Sequence, residues 1–420
     1  MVATVALLAA LDTKAEDAAF LAARLRANGH EVLLIDVGVL GEPGIAPDVD
    51  RDTVAERGGV ALAELVARAD RGAAVQAMAT GAAPVVAELV GAGQVHAVLA
   101  IGGGAGTTIG SAAMLSLPLG LPKMILTTVA SGQTAGYVGT SDILLFPSVV
   151  DVAGINRISA LTYTRAADAL SGMLSGSVDR VETSRDRPLV AASMFGVTTA
   201  CVLRAKQQLE RAGCEVLVFH ATGTGGRTLE RLVADGLVDA VLDLTTTEWA
   251  DEVVGGILAA GPERLTAAGR LGVPQVVSLG ATDMVNFGPP DSLPTRFADR
   301  LLYRHNAENT LMRVSVAEAA EIGAAIGDRL AAATGPTTVL VPTRGVSALD
   351  AAGQPFDDPA ARAALAAAVR ARVPVEEHDL HINDPAFADL AAVRLLAQIE
   401  ETNPMPRTSS NEPRTTENAR

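Results

Sequence analysis

Short apolar runs alternate with helical patterns along nearly the whole chain. The first apolar run, ATVALLAA, is followed by a helical pattern from Glu16 to Asn28 that ends before Gly29, and then by a second run, EVLLIDVG. The runs VHAVLAIGG and KMILTTVASG continue the same alternation. This order is typical of βαβ units, in which helices join parallel strands. The pattern therefore predicts parallel sheets with helices on both faces.

The alternation stops at VDRVETSRDRP, a charged stretch without apolar periodicity, and then starts again. The second half supplies LVAASMFG, a helix from about Thr198 to Ala212, CEVLVFHATG and three further apolar runs. With a boundary near residues 179–188, we predict two doubly wound, Rossmann-like parallel-sheet domains with a cleft between them. The expected organisation is an α/β domain over residues 1–183, a second α/β domain over 184–402 and a polar, disordered tail over 403–420.

Composition narrows the class of protein. Hydrophobic residues make up 49% of the 420 residues and aromatic residues only 3%, so aliphatic side chains must fill the core, as in parallel sheets flanked by helices. The net charge of −15 argues against binding of nucleic acid or an anionic membrane. Cys201 and Cys214 stand in no metal-ligand spacing and are expected to be buried thiols. The N-terminus lacks the basic segment of a signal peptide and no run reaches about 18 apolar residues, so we expect a cytoplasmic protein.

A glycine-rich stretch, GGGAGTT, follows one of the predicted strands. It matches neither the dinucleotide fingerprint, because Thr107 stands where the last glycine is required, nor the P-loop, because no Gly-Lys-Ser/Thr follows. Four glycines at a helix start would let backbone N–H groups approach an anion closely, and two threonines would add hydroxyl donors. A tight turn with close helix packing is the alternative, but it needs fewer glycines. We therefore predict an anion-binding loop formed by Gly102, Gly103, Gly104, Ala105, Gly106, Thr107 and Thr108.

Two other loops of the first half carry polar residues at the ends of predicted strands, where ligands bind in open parallel sheets. Asp12, Thr13 and Lys14 follow the first strand. Asp12 could act only as a helix cap, whereas a lysine beside it could neutralise phosphate or carboxylate oxygens. Ser131 and Gly132 follow the strand KMILTTVA and could line the same site.

The second half repeats this arrangement. His220 ends a predicted strand and precedes Gly223, Gly225, Gly226 and Arg227, which form a second candidate anion nest. Polar residues follow later strands as well, among them the segment TTTE, Asp283 and Ser347. The candidates for a catalytic role are His220, Arg227, Arg304, His305 and Arg344. The pair His378 and His381 precedes a proline and is interpreted as surface histidines, so no metal site is predicted.

Many ordered motifs resemble the family of the plant tobamovirus-resistance protein's N-terminal region, an ATP-binding family. They are ALDTK, GGGAGTT, ASG with YVG and SDI, DVAGIN, HATGTGG, RHN with TLMR, VPTRGVSALD and HINDPAFAD. The resemblance covers the chain to about residue 400 and implies two α/β subdomains, the first of them ATP-binding, and a homodimer. It implies a nucleotide site at Asp12 to Lys14, the Gly102–Thr108 loop, Ser131 and Gly132. One departure is Ala15, where the family pattern has glycine after the lysine.

Three functional hypotheses follow. In the first, ATP or a similar nucleotide binds the first domain, with its triphosphate on the Gly102–Thr108 loop and Mg²⁺ as a candidate companion. In the second, the chain is an enzyme that acts on a phosphorylated or carboxylated small metabolite in the cleft, with the nucleotide as substrate. In the third, it is a regulatory module in which nucleotide sets domain closure or dimerisation.

Overall fold

The computed structural model describes residues 2–175 and 187–402, and the chain divides into two compact units, Met1–Glu182 and Thr183–Arg420. The boundary expected near residues 179–188 lies largely outside the described residues, and the tail expected over 403–420 lies wholly outside them. Both units are built around a parallel sheet, so the predicted fold class of two Rossmann-like α/β domains is confirmed.

The first unit alternates strands and helices in the order that the apolar runs predict. Its strands are β1 (Thr4–Ala9), β2 (Glu31–Asp36), β3 (Ala97–Gly102), β4 (Lys123–Thr127) and β5 (Leu144–Pro147). Its helices are α1 (Ala15–Ala27), α2 (Arg51–Arg57), α3 (Leu62–Arg68), α4 (Arg71–Gly91), α5 (Gly104–Leu115), α6 (Ala135–Val138) and α7 (Arg157–Ser175). All strand pairs are parallel, in the order β2-β1-β3-β4-β5.

Each face of this sheet carries its own helices because alternate side chains of a strand point to opposite sides. On β1, Val5 and Leu7 belong to a buried cluster with residues of α1 and α7, whereas Ala6 and Leu8 belong to a second cluster with residues of α2, α4 and α5. The strand order reverses direction between β1 and β3. In such a doubly wound sheet, ligands bind outside the carboxyl ends of the strands at this switch point.

Helix α4 has the length and composition of a membrane span, with a mean hydropathy of 1.4, and is the one such helix in the described part of the chain. This run was not expected from the sequence. Met78, Ala82 and Val86 on α4 are buried in the core of the first unit, and the helix packs against α5. Packing within the unit therefore accounts for part of its apolar composition.

The second unit has a six-stranded parallel sheet and a small antiparallel one. Its strands are β6 (Leu189–Met194), β7 (Glu215–His220), β8 (Ala240–Thr245), β9 (Gln275–Gly280), β10 (Met284–Phe287), β11 (Leu302–Arg304), β12 (Thr310–Arg313), β13 (Thr337–Pro342) and β14 (Glu376–His378). Its helices are α8 (Thr199–Arg211), α9 (Thr224–Ala234), α10 (Glu248–Val254), α11 (Ala267–Leu271), α12 (Val316–Ala331), α13 (Pro359–Arg370) and α14 (Pro385–Thr402). The parallel order is β14-β13-β9-β8-β6-β7 and the antiparallel order is β10-β12-β11.

When the strands of each parallel sheet are numbered separately in chain order, both sheets begin with the order 2-1-3-4-5. The second unit therefore has its own switch point between β6 and β8. The antiparallel strands were not predicted, and they add a layer that the βαβ pattern does not contain.

Candidate functional site

The glycines at the start of α5 have two different structural roles. Gly102 has φ of +154°, and a Cβ there would lie 3.1 Å from the Cα of Gly106. A Cβ on Gly106 would lie 2.7 Å from the carbonyl oxygen of Ile101. Neither position has room for a side chain, because the first turn of α5 packs directly on the end of β3. These two glycines satisfy the packing interpretation of the sequence.

The other two glycines leave the helix start open. Gly103 is the N-cap residue of α5 and provides no side-chain cap, while a Cβ on Gly104 would meet no atom within 4 Å. The N–H groups of the first helical turn, at Gly104, Ala105 and Gly106, have no acceptor within a helix. Together with the positive end of the helix dipole, they form the kind of surface that binds phosphate. The packing role is therefore observed at Gly102 and Gly106, whereas Gly103 and Gly104 leave the N–H groups of the helix start uncovered.

The two threonine hydroxyls of the loop are engaged by the helix itself. Thr107 is fully buried, donates to the Gly103 carbonyl at 2.8 Å and contacts the Thr127 hydroxyl at 2.6 Å. Thr108 donates to the Gly104 carbonyl at 3.0 Å. The donors that the loop offers to an anion in this structure are thus backbone N–H groups. Thr107 instead connects the loop to the end of β4.

A segment over residues 148–156, here called the crossing segment, runs from the end of β5 to the start of α7. Ser148 N–H donates to the Thr127 carbonyl at 2.9 Å, and at the other end Gly154 N–H donates to the Asp17 carboxylate at 3.1 Å. β5 is one edge of the sheet, whereas α1, which carries Asp17, joins β1 to β2 near the other edge. The segment therefore crosses the carboxyl ends of the strands. It closes one side of the switch-point region.

A cavity of about 520 Å³ lies between the end of β4 and the crossing segment. The residues that line it are mostly hydroxyl-bearing or small and apolar: Thr127, Thr128, Ala130, Ser131, Pro147, Ser148, Val149, Val150 and Asp151. Its volume is within the range of small-molecule sites. Thr128 N–H approaches the Gly102 carbonyl at 3.4 Å, so the cavity adjoins the start of α5. Of the predicted binding residues, Ser131 lines it directly, and Gly132 follows with φ of +89°.

The loop after β1 lies at the same switch point, but its side chains contact neighbouring loops. One oxygen of Asp12 accepts N–H groups of the loop after β2, from Val39 at 3.2 Å and Leu40 at 2.9 Å. Lys14, at the start of α1, donates from Nζ to the carbonyl of Val152 in the crossing segment. The Thr13 hydroxyl is exposed and donates weakly to the Ala10 carbonyl. Asp12 and Lys14 therefore position the walls of the site.

A buried acidic residue strengthens this arrangement. Asp17 is 1% exposed and accepts hydrogen bonds from the Tyr163 hydroxyl at 2.8 Å and from Gly154 N–H. Burial and the neighbouring Asp17 carboxylate raise the pKa of Tyr163, so its hydroxyl stays protonated and continues to donate. The far end of the crossing segment is therefore fixed to both α1 and α7.

In the second unit, the candidate anion nest at the start of α9 already contains an anion, the side chain of Glu248. Its Oε1 accepts N–H groups from Gly223 at 2.7 Å and Gly226 at 3.0 Å, and its Oε2 accepts from Arg264 Nε at 2.7 Å. Arg264 is 1% exposed and also binds Asp243 through two nitrogens. The nest is thus part of a buried ionic network that joins α9 and α10.

The five candidates for a catalytic role do not come together at one place. His220, at the end of β7, is exposed and packs against Phe195, and Arg227 donates to the Ala259 carbonyl at 3.1 Å. Arg344 follows β13 and forms two hydrogen bonds with Asp379. Three strands separate the ends of β7 and β13, which corresponds to roughly 19 Å at the usual strand spacing. Arg304 and His305 belong to the antiparallel hairpin, where both are exposed.

A buried polar cluster lies at the carboxyl ends of β9 and β13. Ser347 donates to Asp283 Oδ2 at 2.9 Å, and Asp350 binds Arg313 at 3.3 Å and Arg362 at 2.7 Å. Burial, with a smaller contribution from the Asp350 charge, raises the pKa of Asp283 to about 7. The sequence signals these residues only as polar positions after strands, and it does not show that they meet.

The histidine pair of the second unit has structural contacts. His381 Nε2 lies 2.8 Å from the Ser347 carbonyl, and its Nδ1 accepts the Asn383 N–H at 3.0 Å. His378 ends β14 beside Glu376. Among residues 2–175 and 187–402, no group of three or more His, Cys, Asp or Glu side chains is arranged to hold a metal ion.

These features define a two-domain α/β protein whose first unit has a helix start without a side-chain cap and an adjoining cavity. Residues 3–179 match the model of the N-terminal domain, and residues 187–399 that of the C-terminal domain, of the Uncharacterised protein family UPF0261. The chain belongs to this family.

Relatives include bacterial and plant proteins. A UPF0261 protein of Clostridium tetani is 45% identical over 94% of this chain and 98% of its own length, and one of Rhizobium meliloti is 44% identical over 90% and 95%. The ToMV resistance protein Tm-1 of Solanum lycopersicum is 45% identical over 70% of this chain, a match that covers 40% of the plant protein. A putative UDP-N-acetylglucosamine 2-epimerase structure from Listeria monocytogenes shares 12% identity with a TM-score of 0.23, too low to support an argument.

Proposed function

We propose that the first unit binds a nucleoside triphosphate, with the phosphates on the N–H groups at the start of α5. The observation that carries the proposal is the position of this helix start. It follows β3 at the switch point of a 2-1-3-4-5 sheet and adjoins a cavity of about 520 Å³. Because the N-cap Gly103 has no side-chain cap, the helix start offers the N–H groups of Gly104, Ala105 and Gly106. Flavodoxin-like sheets of the same strand order bind a phosphorylated ligand at this switch point, and helix N-termini bind phosphate.

Without a cation, the positive charge at the site is too small to balance a triphosphate. The chain carries a net charge of −15, and the Lys14 ammonium already gives one hydrogen bond to Val152. It retains two further N–H donors. Mg²⁺ bound to the triphosphate would lower the charge that the helix start must accept. The proposal therefore includes Mg²⁺ as a companion of the nucleotide.

Calorimetric titration of the full chain with ATP tests the proposal. We expect saturable binding with MgCl₂ present and weaker binding with EDTA in its place. Inorganic tripolyphosphate with Mg²⁺ should compete for the site, because it contacts the same N–H groups, whereas adenosine alone should bind much more weakly. Absence of saturable ATP binding at millimolar concentration would refute the proposal.

A further inference from the structure

Asp151 carries the one charge among the described residues that line the cavity of the first unit. Its Oδ1 accepts the N–H of Val152 at 2.8 Å, which leaves Oδ2 for another donor. The residue is exposed, so a ligand in the cavity can reach it. A carboxylate here would repel an anion, although the adjoining start of α5 is suited to bind one.

The backbone on both sides of Asp151 is held in place by hydrogen bonds. Ser148 N–H donates to the Thr127 carbonyl at 2.9 Å, and the Ser148 hydroxyl donates to the Val150 carbonyl at 2.7 Å. On the other side, Lys14 binds the Val152 carbonyl. Asp151 therefore lies between two fixed points of the crossing segment, and a ligand does not have to order its backbone on binding.

Electrostatics determines which part of a nucleotide can face Asp151. Phosphate oxygens would be repelled by the carboxylate, whereas the N–H groups of Gly104 and Ala105 attract them. With the phosphates at α5, the uncharged nucleoside is directed into the adjoining cavity. The ribose carries two neighbouring hydroxyl donors, and a carboxylate oxygen is the acceptor that dinucleotide-binding sheets use for them.

We infer that Asp151 accepts hydrogen bonds from the ribose hydroxyls, so that the site selects ribonucleotides over deoxyribonucleotides. This inference rests on the proposed nucleotide binding. It adds a specificity-determining residue that lies outside the glycine loop and outside the Asp12–Lys14 loop.

The test compares the affinities of the full chain for Mg²⁺ complexes of ATP, 2′-deoxy-ATP and 3′-deoxy-ATP. We expect the wild type to bind ATP roughly tenfold more tightly than at least one of the deoxy compounds, since a hydrogen bond to a charged group is lost. In Asp151→Ala the ratio of the affinity for ATP to the affinity for that deoxy compound should fall close to one, mainly because ATP binds more weakly. Asp151→Asn keeps an acceptor for the Val152 N–H and should give an intermediate ratio. Asp52→Asn removes an exposed carboxylate on α2 and should leave the ratio unchanged.

The outcomes separate this inference from the function on which it rests. If the wild type binds ATP and both deoxy compounds equally, the inference is wrong while nucleotide binding stands. If Asp151→Ala weakens all three nucleotides equally and removes the Mg²⁺ dependence, Asp151 is a metal ligand and the inference is again wrong. If the wild type binds no nucleotide, both proposals fail. Should Asp151→Ala not fold, as judged by circular dichroism, the Asp151→Asn ratio decides.

Discussion

Lys14 and Val152 connect the start of α1 to the crossing segment through a hydrogen bond from the lysine Nζ to the Val152 carbonyl. The two residues are 138 positions apart in the chain, and their contact joins the loop after β1 to a wall of the cavity. Lys14, a candidate phosphate ligand by sequence, thus holds the crossing segment in place. Both roles can be separated by experiment.

Replacing Lys14 should loosen the crossing segment. In Lys14→Ala we expect faster amide hydrogen exchange over residues 148–156 without ligand, because the Val152 carbonyl loses its partner. The free energy of unfolding should fall by about 1 kcal/mol. Lys206→Ala, at an exposed i,i+4 pair on α8, is the control and should leave this exchange unchanged. Unaltered exchange in Lys14→Ala would show that the segment is held by other contacts.

Replacing Glu248 should strongly destabilise the second unit. Glu248→Ala leaves the buried Arg264 with one fewer partner and the N–H groups of Gly223 and Gly226 without an acceptor. Breaking a buried ion pair in this way costs about 3–5 kcal/mol. Chemical denaturation measures the loss, and Glu321→Ala, at an exposed position of α12, is the control. A loss below about 1 kcal/mol would mean that water replaces the carboxylate at the nest.

The buried Asp283 should make stability depend on pH. Its pKa in the folded protein, about 7, is above the ordinary value of 3.8, because burial disfavours the charge. The folded state therefore holds this proton more tightly than the unfolded state, and the contribution is lost as pH rises from about 4 to about 7. Removing the titration with Asp283→Asn should make the variant gain stability relative to the wild type over this interval.

Urea denaturation at pH 5, 6, 7 and 8 checks this prediction. The free energy of unfolding of Asp283→Asn should increase relative to that of the wild type as pH rises, by at most about 1.4 kcal/mol per pH unit. Some pH dependence of the same sign remains, because burial also raises the pKa of Asp251 to about 7. Asp291→Asn, at an exposed site, should keep the wild-type profile. If the free energy of unfolding of Asp283→Asn changed with pH in the same way as that of the wild type does, this would contradict the raised pKa of Asp283.

Much of the fold could be predicted from the sequence because its strongest signals are local. The helices expected at Glu16–Asn28 and Thr198–Ala212 are observed at Ala15–Ala27 and Thr199–Arg211. The strands missing from the expectation, β5, β10, β11, β12 and β14, are only three or four residues long. Runs of that length carry too few residues to show a period. The antiparallel sheet therefore had no detectable pattern.

The helix start at the glycine loop could be predicted from the sequence, whereas the surroundings of this candidate site could not. A glycine-rich helix start after a strand is a local feature, so Gly102 to Thr108 could be named as a candidate from the sequence. The crossing segment could not, because its position depends on contacts such as Gly154 with Asp17, 137 residues apart. The same holds for Glu248, whose occupation of the α9 nest is visible only in three dimensions. Sequence shows which residues could bind an anion but not which anion is already present.

The affinity of Gly104→Val for ATP with Mg²⁺, measured beside its stability, tests the account of the glycine loop most directly. A side chain at Gly104 meets no protein atom within 4 Å, so the variant should keep its free energy of unfolding within about 0.5 kcal/mol while its affinity falls at least roughly tenfold, or about 1.4 kcal/mol. Gly106→Val is the matched control and should unfold more easily, because its Cβ would lie 2.7 Å from the Ile101 carbonyl oxygen. Unchanged ATP affinity in a stable Gly104→Val protein would contradict the assignment of this helix start as the phosphate site.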